Sequence, residues 1–299
     1  MKPNPEGATV PRVEVLRIDA LNGKPLAILF SHAAHPVIVH GTSTLVSADY
    51  PGFAVAEVRK RFGSGTAAMF AQACGGNING EPLRGGFEAA RRAGEALGQA
   101  AVQAATESQQ LEAARLRVKS VSLALPMQDW PSLKDCQRAL SQAESRLAEA
   151  RQKGADERAR WYLQDDVLCL RELIEKARCG EPAALRFDLN LLAWGDEFGL
   201  LTMTHEVFAE YQLWIDQNSP FRHTMVLAYT NGCEGYVPTD RDFALGGYEA
   251  AAAPAPSAAL RCARRAALRP GIERLIQQQI QTLWSDTAGI NKGATPCQP

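Results

Sequence analysis

Residues Pro25 to Ala34, PLAILFSHAA, form a run that is apolar at almost every position, directly after an Asn22-Gly23 pair. Asn-Gly is a strong hairpin signal, because a two-residue type I′ turn needs positive φ at both central positions. VEVLRID before the pair and PLAILFSHAA after it therefore read as two paired strands. A strand with one solvated face alternates apolar and polar residues. A strand apolar throughout is buried on both faces, as in sheets covered by helices on either side. That run constrains the fold more than any other feature, and it calls for helices nearby.

The helices are present. YPGFAVAEVRKRF carries Pro51 near its start and places Ala54, Val58 and Phe62 four apart, on one helical face. FEAARRAGEALGQAAVQAA is an alanine-rich helix, and TAAMFAQACGGNING between them is a short buried strand running into glycines. LRVKSVSLALPM, ALRFDLNLLAW, FGLLTM and HTMVLAYTNG add strands, the last ending near Tyr229. EVFAEYQLWIDQ reads as a helix opened by Glu206, where an acid is favoured by the helix dipole. Residues 270–285 close the chain as a helix with Pro270 near its start, after a loose Ala/Pro-rich segment at 250–268. Strands alternating with helices define an α/β fold with mixed sheets flanked by helices, read as a single domain over 1–299. Residues 131–180 differ in kind. Two charged, apolar-striped helices meet at a Lys153-Gly154 break, the pattern of an inserted antiparallel helical hairpin. The same stripe would suit a helical interaction module.

Composition narrows the function classes. With 299 residues, 46% hydrophobic and 22% charged, the chain can bury a sizeable core. A formal net charge of −1 lacks the basic excess of a nucleic-acid binder. No apolar run approaches the roughly 20 residues of a transmembrane helix, and the first residues lack the apolar centre of a signal peptide. The expectation is a cytoplasmic protein, with secretion or a periplasmic site open if a region lies upstream. Seven cysteines, an odd number without a CxxC pair, support neither a disulfide framework nor a cysteine zinc site. Cys74 and Cys233 stand out only because glycine-rich loops carry them. Gly75 and Gly76 lack the GxxxxGK[ST] context of a phosphate loop.

Polar residues fall in one kind of place. His35, the pair Asn77 and Asn79, the pair His205 and Glu206, and Tyr236 with Tyr248 each follow the C-terminal end of a predicted strand. Ligands of open α/β sheets bind outside those ends. An imidazole, a carboxylate and a phenol are nitrogen and oxygen donors acceptable to zinc. Three protein ligands with an open position describe a catalytic metal site, suited to hydrolysis of an amide or ester. His32 and His40 flank His35 and are alternative ligands on the sequence alone.

Four segments carry a resemblance: AAHPVIVHGTSTLVSADYPG, FAQACGGNING, GLLTMTHEVFAEY and NGCEGYVPTDRDFALGGYEA. Together they resemble the neutral/alkaline non-lysosomal ceramidases, in their bacterial ceramidase-like branch. The first is similar to a zinc-binding His-Pro followed by an LISxD run. The last is similar to the family's YxxYxxTxxEYxxxxYE pattern, with both tyrosines at the family interval. The resemblance implies His35, Glu206 and Tyr236 as zinc ligands and Tyr248 as a phenol that steadies the reacting carbonyl. It places Asn79 where the family has its serine nucleophile and Asn77 where it has an aspartate. Asparagine is no nucleophile, so a zinc-activated water takes that part. The family's upstream HTHSGP-like stretch has no counterpart, which implies an N-terminally truncated member. The expected function is zinc-dependent hydrolysis of an N-acyl amide bond in a small or lipid-like substrate, ceramide or another. The alternative is a relative that kept the fold as a binding or scaffold protein.

Overall fold

The computed structural model describes residues 4–112, 114–130, 132–180, 184–247, 249–250 and 267–288. In chain order the elements are β1 (Glu14–Asp19), β2 (Pro25–His32), α1 (Asp49–Phe62), β3 (Ala67–Gln72), α2 (Gly86–Glu107) and β4 (Leu116–Pro126). Next come α3 (Leu133–Gln152), α4 (Glu157–Cys179), β5 (Ala184–Trp194), β6 (Phe198–Met203), β7 (Glu206–Val207) and α5 (Ala209–Asn218). The last are β8 (His223–Leu227), β9 (Tyr236–Val237), α6 (Asp240–Leu245) and α7 (Ile272–Ala288). The architecture is mixed α/β. By density of internal contacts the chain divides into two compact units. One comprises Met1–Val121, Asp188–Cys233 and Gln278–Pro299, the other Ser122–Phe187 and Glu234–Gln277.

The first unit is built on the hairpin that opens the chain. β1 and β2 pair antiparallel, from Glu14 opposite Ser31 to Asp19 opposite Pro25, but not through the expected type I′ turn. Gly23 has φ 80° while Asn22 is not left-handed. The loop closes with Gly23 N donating to Ala20 O and Ala20 N to Lys24 O. β2 then pairs parallel with β3, Ala27 opposite Ala67 through His32 opposite Gln72, with α1 as the crossover. Ile28, Phe30 and Ala68 pack against Ala54 and Val58 of α1 and Ala101 and Ala105 of α2. A second sheet has the strand order β4-β5-β6-β8. β5 and β6 are antiparallel, and β6 and β8 are parallel, with Phe198 opposite His223 and Thr202 opposite Leu227. Each parallel pair therefore sends two C-terminal ends the same way.

One local expectation changes. Glu206 does not open a helix: it stands in the two-residue strand β7, and α5 starts at Ala209. Phe208, the residue before α5, has no polar side chain to cap the free amides of the first turn. Asn77 supplies the cap from the loop after β3, its Oδ1 accepting from Ala209 N at 2.9 Å while its Nδ2 donates to Glu210 Oε2 at 2.9 Å. Replacing Asn77 with alanine should cost about 1 kcal/mol by loss of this cap. Thermal unfolding would show it as a fall of about 2–4 °C; an unchanged midpoint would refute the role.

In the second unit α3 and α4 fold back on each other at Gly154, whose φ is 67°. Ser132 caps α3 by accepting from Asp135 N, and Asp156 caps α4 by accepting from Ala159 N. Ala143 and Leu147 meet Val167 and Leu170 along the seam, and Arg171 pairs with Glu144 at 2.7 Å. The same unit holds β9 and α6, the latter started by a reciprocal capping box between Thr239 and Asp242. All but the ends of the 250–268 segment lies outside the described residues. Among the described residues, no helix is long and apolar enough to cross a membrane.

Candidate functional site

Within the first unit the C-terminal ends of β2, β6 and β8 bring together three side chains from distant stretches of chain, and the loop after β3 adds backbone groups. His35 lies three residues past β2. Its backbone forms an isolated parallel bridge with Asn79, His35 N donating to Ile78 O at 2.8 Å and Gly80 N donating to His35 O at 3.1 Å. The Ile78 carbonyl also lies 3.1 Å from His35 Nδ1. A carbonyl only accepts, so Nδ1 carries a proton and Nε2 is the nitrogen presented outward. Nε2 stands 2.8 Å from Glu206 Oε2, although 171 residues separate the two in sequence. The Tyr229 hydroxyl completes a triangle, 3.1 Å from His35 Nε2 and 3.3 Å from Glu206 Oε2, which accepts its hydrogen bond.

The loops that deliver these groups are held in demanding conformations. His205 and Tyr229 both take left-handed backbone, with φ 67° and 56°, which costs a non-glycine residue about 1–2 kcal/mol. Hydrogen bonds hold both in place. His205 N donates to Gly232 O, and Tyr229 N and Val207 N both donate to His205 O. Thr230 N donates to Met203 O, and Ala228 N to Gln72 O, tying the end of β8 to β6 and β3. Gly75 and Gly76 carry the loop after β3 so close to its neighbours that a Cβ at Gly76 would lie 2.3 Å from the Glu206 carbonyl oxygen. Close backbone approach explains this glycine pair.

The electrostatics of the pair follow from its chemistry. Burial disfavours the His35 imidazolium. The hydrogen bond and negative charge of Glu206, with help from the Ile78 and Gly75 backbone, outweigh burial and hold the His35 pKa above its ordinary value. A neutral Nε2 and a carboxylate oxygen are both acceptors, so at 2.8 Å they need a cation between or on them: a proton or a metal ion. The side chains of His35 and Glu206 are 17% and 16% exposed, so the pair is sheltered but reachable. Among the described residues no group of three or more His, Cys, Asp and Glu side chains gathers as a metal site. A zinc ion here would draw its third protein donor from a phenol. An imidazole and a carboxylate are ordinary zinc donors, and a phenol, a rarer one, joins them once the cation lowers its pKa.

The other predicted residues are placed as follows. Asn79 is exposed, and its backbone bridges to His35. Tyr236 begins β9 in the second unit and is half-buried. Tyr248 lies outside the described residues. Of the alternative histidines, His32 turns Nδ1 to the Arg12 carbonyl at 2.9 Å, and His40 is exposed. Cys74 is buried, which pushes its thiol pKa well up, and Cys233 is exposed. Tyr229 escaped the sequence reading because it looked like the last residue of the strand HTMVLAY. The Thr230-Asn231-Gly232 turn directly after it was the available signal.

No family model matches the chain, and no curated protein matches it by sequence. Solved structures do match in three dimensions. Neutral ceramidase from Pseudomonas aeruginosa aligns with a TM-score of 0.58 at 19% identity, over 93% of this chain and 47% of that one. A ceramidase complexed with C2 aligns with a TM-score of 0.62 at 15% identity, over 99% of this chain and 52% of that one. The fold is that of the ceramidases. The chain spans about half the length of each structure it matches.

Proposed function

We propose that the chain is a ceramidase-like hydrolase that cleaves an amide bond in an N-acyl, lipid-like substrate with the help of zinc. The observation that carries this reading is the 2.8 Å approach of His35 Nε2 to Glu206 Oε2, at the convergent strand ends of a ceramidase fold. His35 and Glu206 are the residues that would hold the ion. The resemblance in sequence points to Tyr236 as a further ligand. Zinc, when bound, polarises a scissile carbonyl and makes water nucleophilic near neutral pH.

The chain's own residues do the rest. The Ile78 carbonyl fixes the His35 tautomer, so that a lone pair faces the site when the ring is neutral. The shared hydrogen bond to the Tyr229 hydroxyl sets the Glu206 carboxylate. Tyr248, by resemblance, donates to the carbonyl oxygen as charge develops there, a role commonly worth about 3 kcal/mol. Asn79 has no hydroxyl, so attack falls to water rather than to a side chain.

Two measurements on the purified protein test the reading together: metal content, and release of free amine from an N-acyl sphingoid base or a simpler fatty-acyl amide. The expected outcome is stoichiometric zinc and hydrolysis that His35→Ala lowers by about 10³-fold or more, the loss of several kcal/mol that removal of a metal entails. Protein free of zinc whose hydrolysis survives His35→Ala would sink it. Asn79 in the position of the family nucleophile favours a second reading, a binding relative without turnover. That relative would take up zinc and N-acyl lipid but release no amine.

A further inference from the structure

His35 and Glu206 meet just past two strand ends, and a third group stands beside them. The Tyr229 hydroxyl is within hydrogen-bond distance of both partners, and the three atoms form a triangle with edges of 2.8, 3.1 and 3.3 Å. Zinc holds nitrogen and oxygen donors at about 2.0–2.1 Å, so two donors on one face of its tetrahedron lie about 3.3 Å apart. The triangle thus has the shape of a tetrahedral face drawn in by a few tenths of an ångström. Two of its corners are acceptors that require a cation. The third is a phenol, which becomes a good ligand once a cation displaces its proton.

The backbone is arranged to keep that phenol there. Tyr229 follows β8 after one residue and turns out of the strand through a left-handed φ of 56°. Its amide is anchored to the carbonyl of His205, the residue before Glu206, at 3.0 Å. The ring meets the His35 ring edge-on, with centroids 6.0 Å apart and planes at 87°. Glu206 and Tyr229 are therefore delivered by adjoining loops that share the His205 carbonyl, and His35 braces the phenol from the other side.

We propose that Tyr229 is a metal ligand, its phenolate oxygen joining His35 Nε2 and Glu206 on one divalent cation of zinc's preferences. The proposal rests on the zinc reading above but assigns a donor that the resemblance does not. On binding, the phenolic O–H bond breaks, the proton leaves to solvent, and the oxygen lone pair forms the bond to the cation; no electron transfer is involved.

The test uses the full chain and two readouts that are independent of hydrolysis. Zinc is titrated against a chromophoric chelator, and the Cu²⁺-loaded protein is scanned for the visible absorption of phenolate-to-copper charge transfer. Wild-type protein should bind zinc and show the band. Tyr229→Phe should lose the band and bind zinc roughly 10–100-fold more weakly. Tyr229→His, which restores a donor without a phenol, should recover affinity but not the band. Unfolding of the metal-free variants at the wild-type temperature separates ligand loss from misfolding. If Tyr229→Phe keeps both band and affinity while His35→Ala loses affinity, the assignment of Tyr229 is overturned and the zinc reading stands. Tyr236→Phe should then be the variant without the band. If the wild-type protein takes up no zinc at all, both readings fall.

Discussion

Replacing Gly76 with alanine should cost the fold about 3 kcal/mol and weaken the proposed metal binding at the site with it. A Cβ at this position would stand 2.3 Å from the Glu206 carbonyl oxygen, 2.9 Å from its carbonyl carbon and 3.0 Å from Phe208 Cδ1. Two of these are backbone atoms, so no rotamer change relieves the clash. The loop cannot simply back away, because Gly76 N donates to Val207 O at 2.9 Å. Either that hydrogen bond breaks, at about 1 kcal/mol, or β7 moves and carries the Glu206 side chain away from His35. The thermal midpoint should fall by about 6–12 °C, and zinc affinity should drop in whatever fraction remains folded. Wild-type melting together with wild-type zinc affinity would show that the close approach is not real.

The second large effect is expected at Gly94. In an exposed helix, glycine to alanine stabilises by about 1 kcal/mol. Here the sign should reverse. A Cβ at Gly94 would fall 2.3 Å from the Tyr50 carbonyl oxygen and 2.5 Å from Phe53 Cβ. One turn further along α2, a Cβ at Gly98 would meet Glu57 Cβ at 2.6 Å and the Ala54 carbonyl oxygen at 2.8 Å. α1 and α2 lie backbone to backbone along this glycine stripe. Overpacking of about 3 kcal/mol outweighs the propensity gain, leaving Gly94→Ala destabilised by about 2 kcal/mol. The strain also has a path to the site, since the Tyr50 hydroxyl donates to the Ala34 carbonyl next to His35. Equilibrium denaturant unfolding measures the change, and a neutral or stabilised Gly94→Ala would refute the helix contact.

These glycines show where reading the sequence stops. An alanine-rich helix over 87–105 was legible, and so was a strand running into Gly75-Gly76, but its burial was overread: Ala68 is buried while Ala67 and Met69 are exposed, so β3 hides one face only. Why the glycines have no side chain was not legible, since the atoms they make room for lie 130 residues away at Glu206 and about 40 away at Tyr50. The site divides the same way. His35 and Glu206 stood out because each follows an apolar run, and strand ends are where α/β sheets expose chemistry. Tyr229 did not stand out, because MVLAY continues a strand pattern to its last residue, and the Thr230-Asn231-Gly232 turn that follows marks a chain reversal without announcing a left-handed φ at the tyrosine. Glu206 was expected at the start of a helix on charge alone. Asn77, reaching across from another loop, starts α5 at Ala209 and leaves the acid in a short strand facing His35.

Sequence alone therefore determined the elements: a hairpin at Asn22-Gly23, apolar strands, their crossover helices, and polar groups set just beyond the strand ends. Burial on both faces of the Pro25–Ala34 strand was expected and is not found over its whole length, since Ile28 and Phe30 are buried while Leu26 is exposed. An apolar pattern is local, but what covers each face is not. Only the tertiary structure decided that β2 runs beside β3 and β6 beside β8, and that an imidazole and a carboxylate 171 residues apart meet at 2.8 Å with the Tyr229 hydroxyl beside both. The physical reason is that side-chain convergence depends on loop conformations, and those loops are held by hydrogen bonds and close contacts to segments remote in the chain.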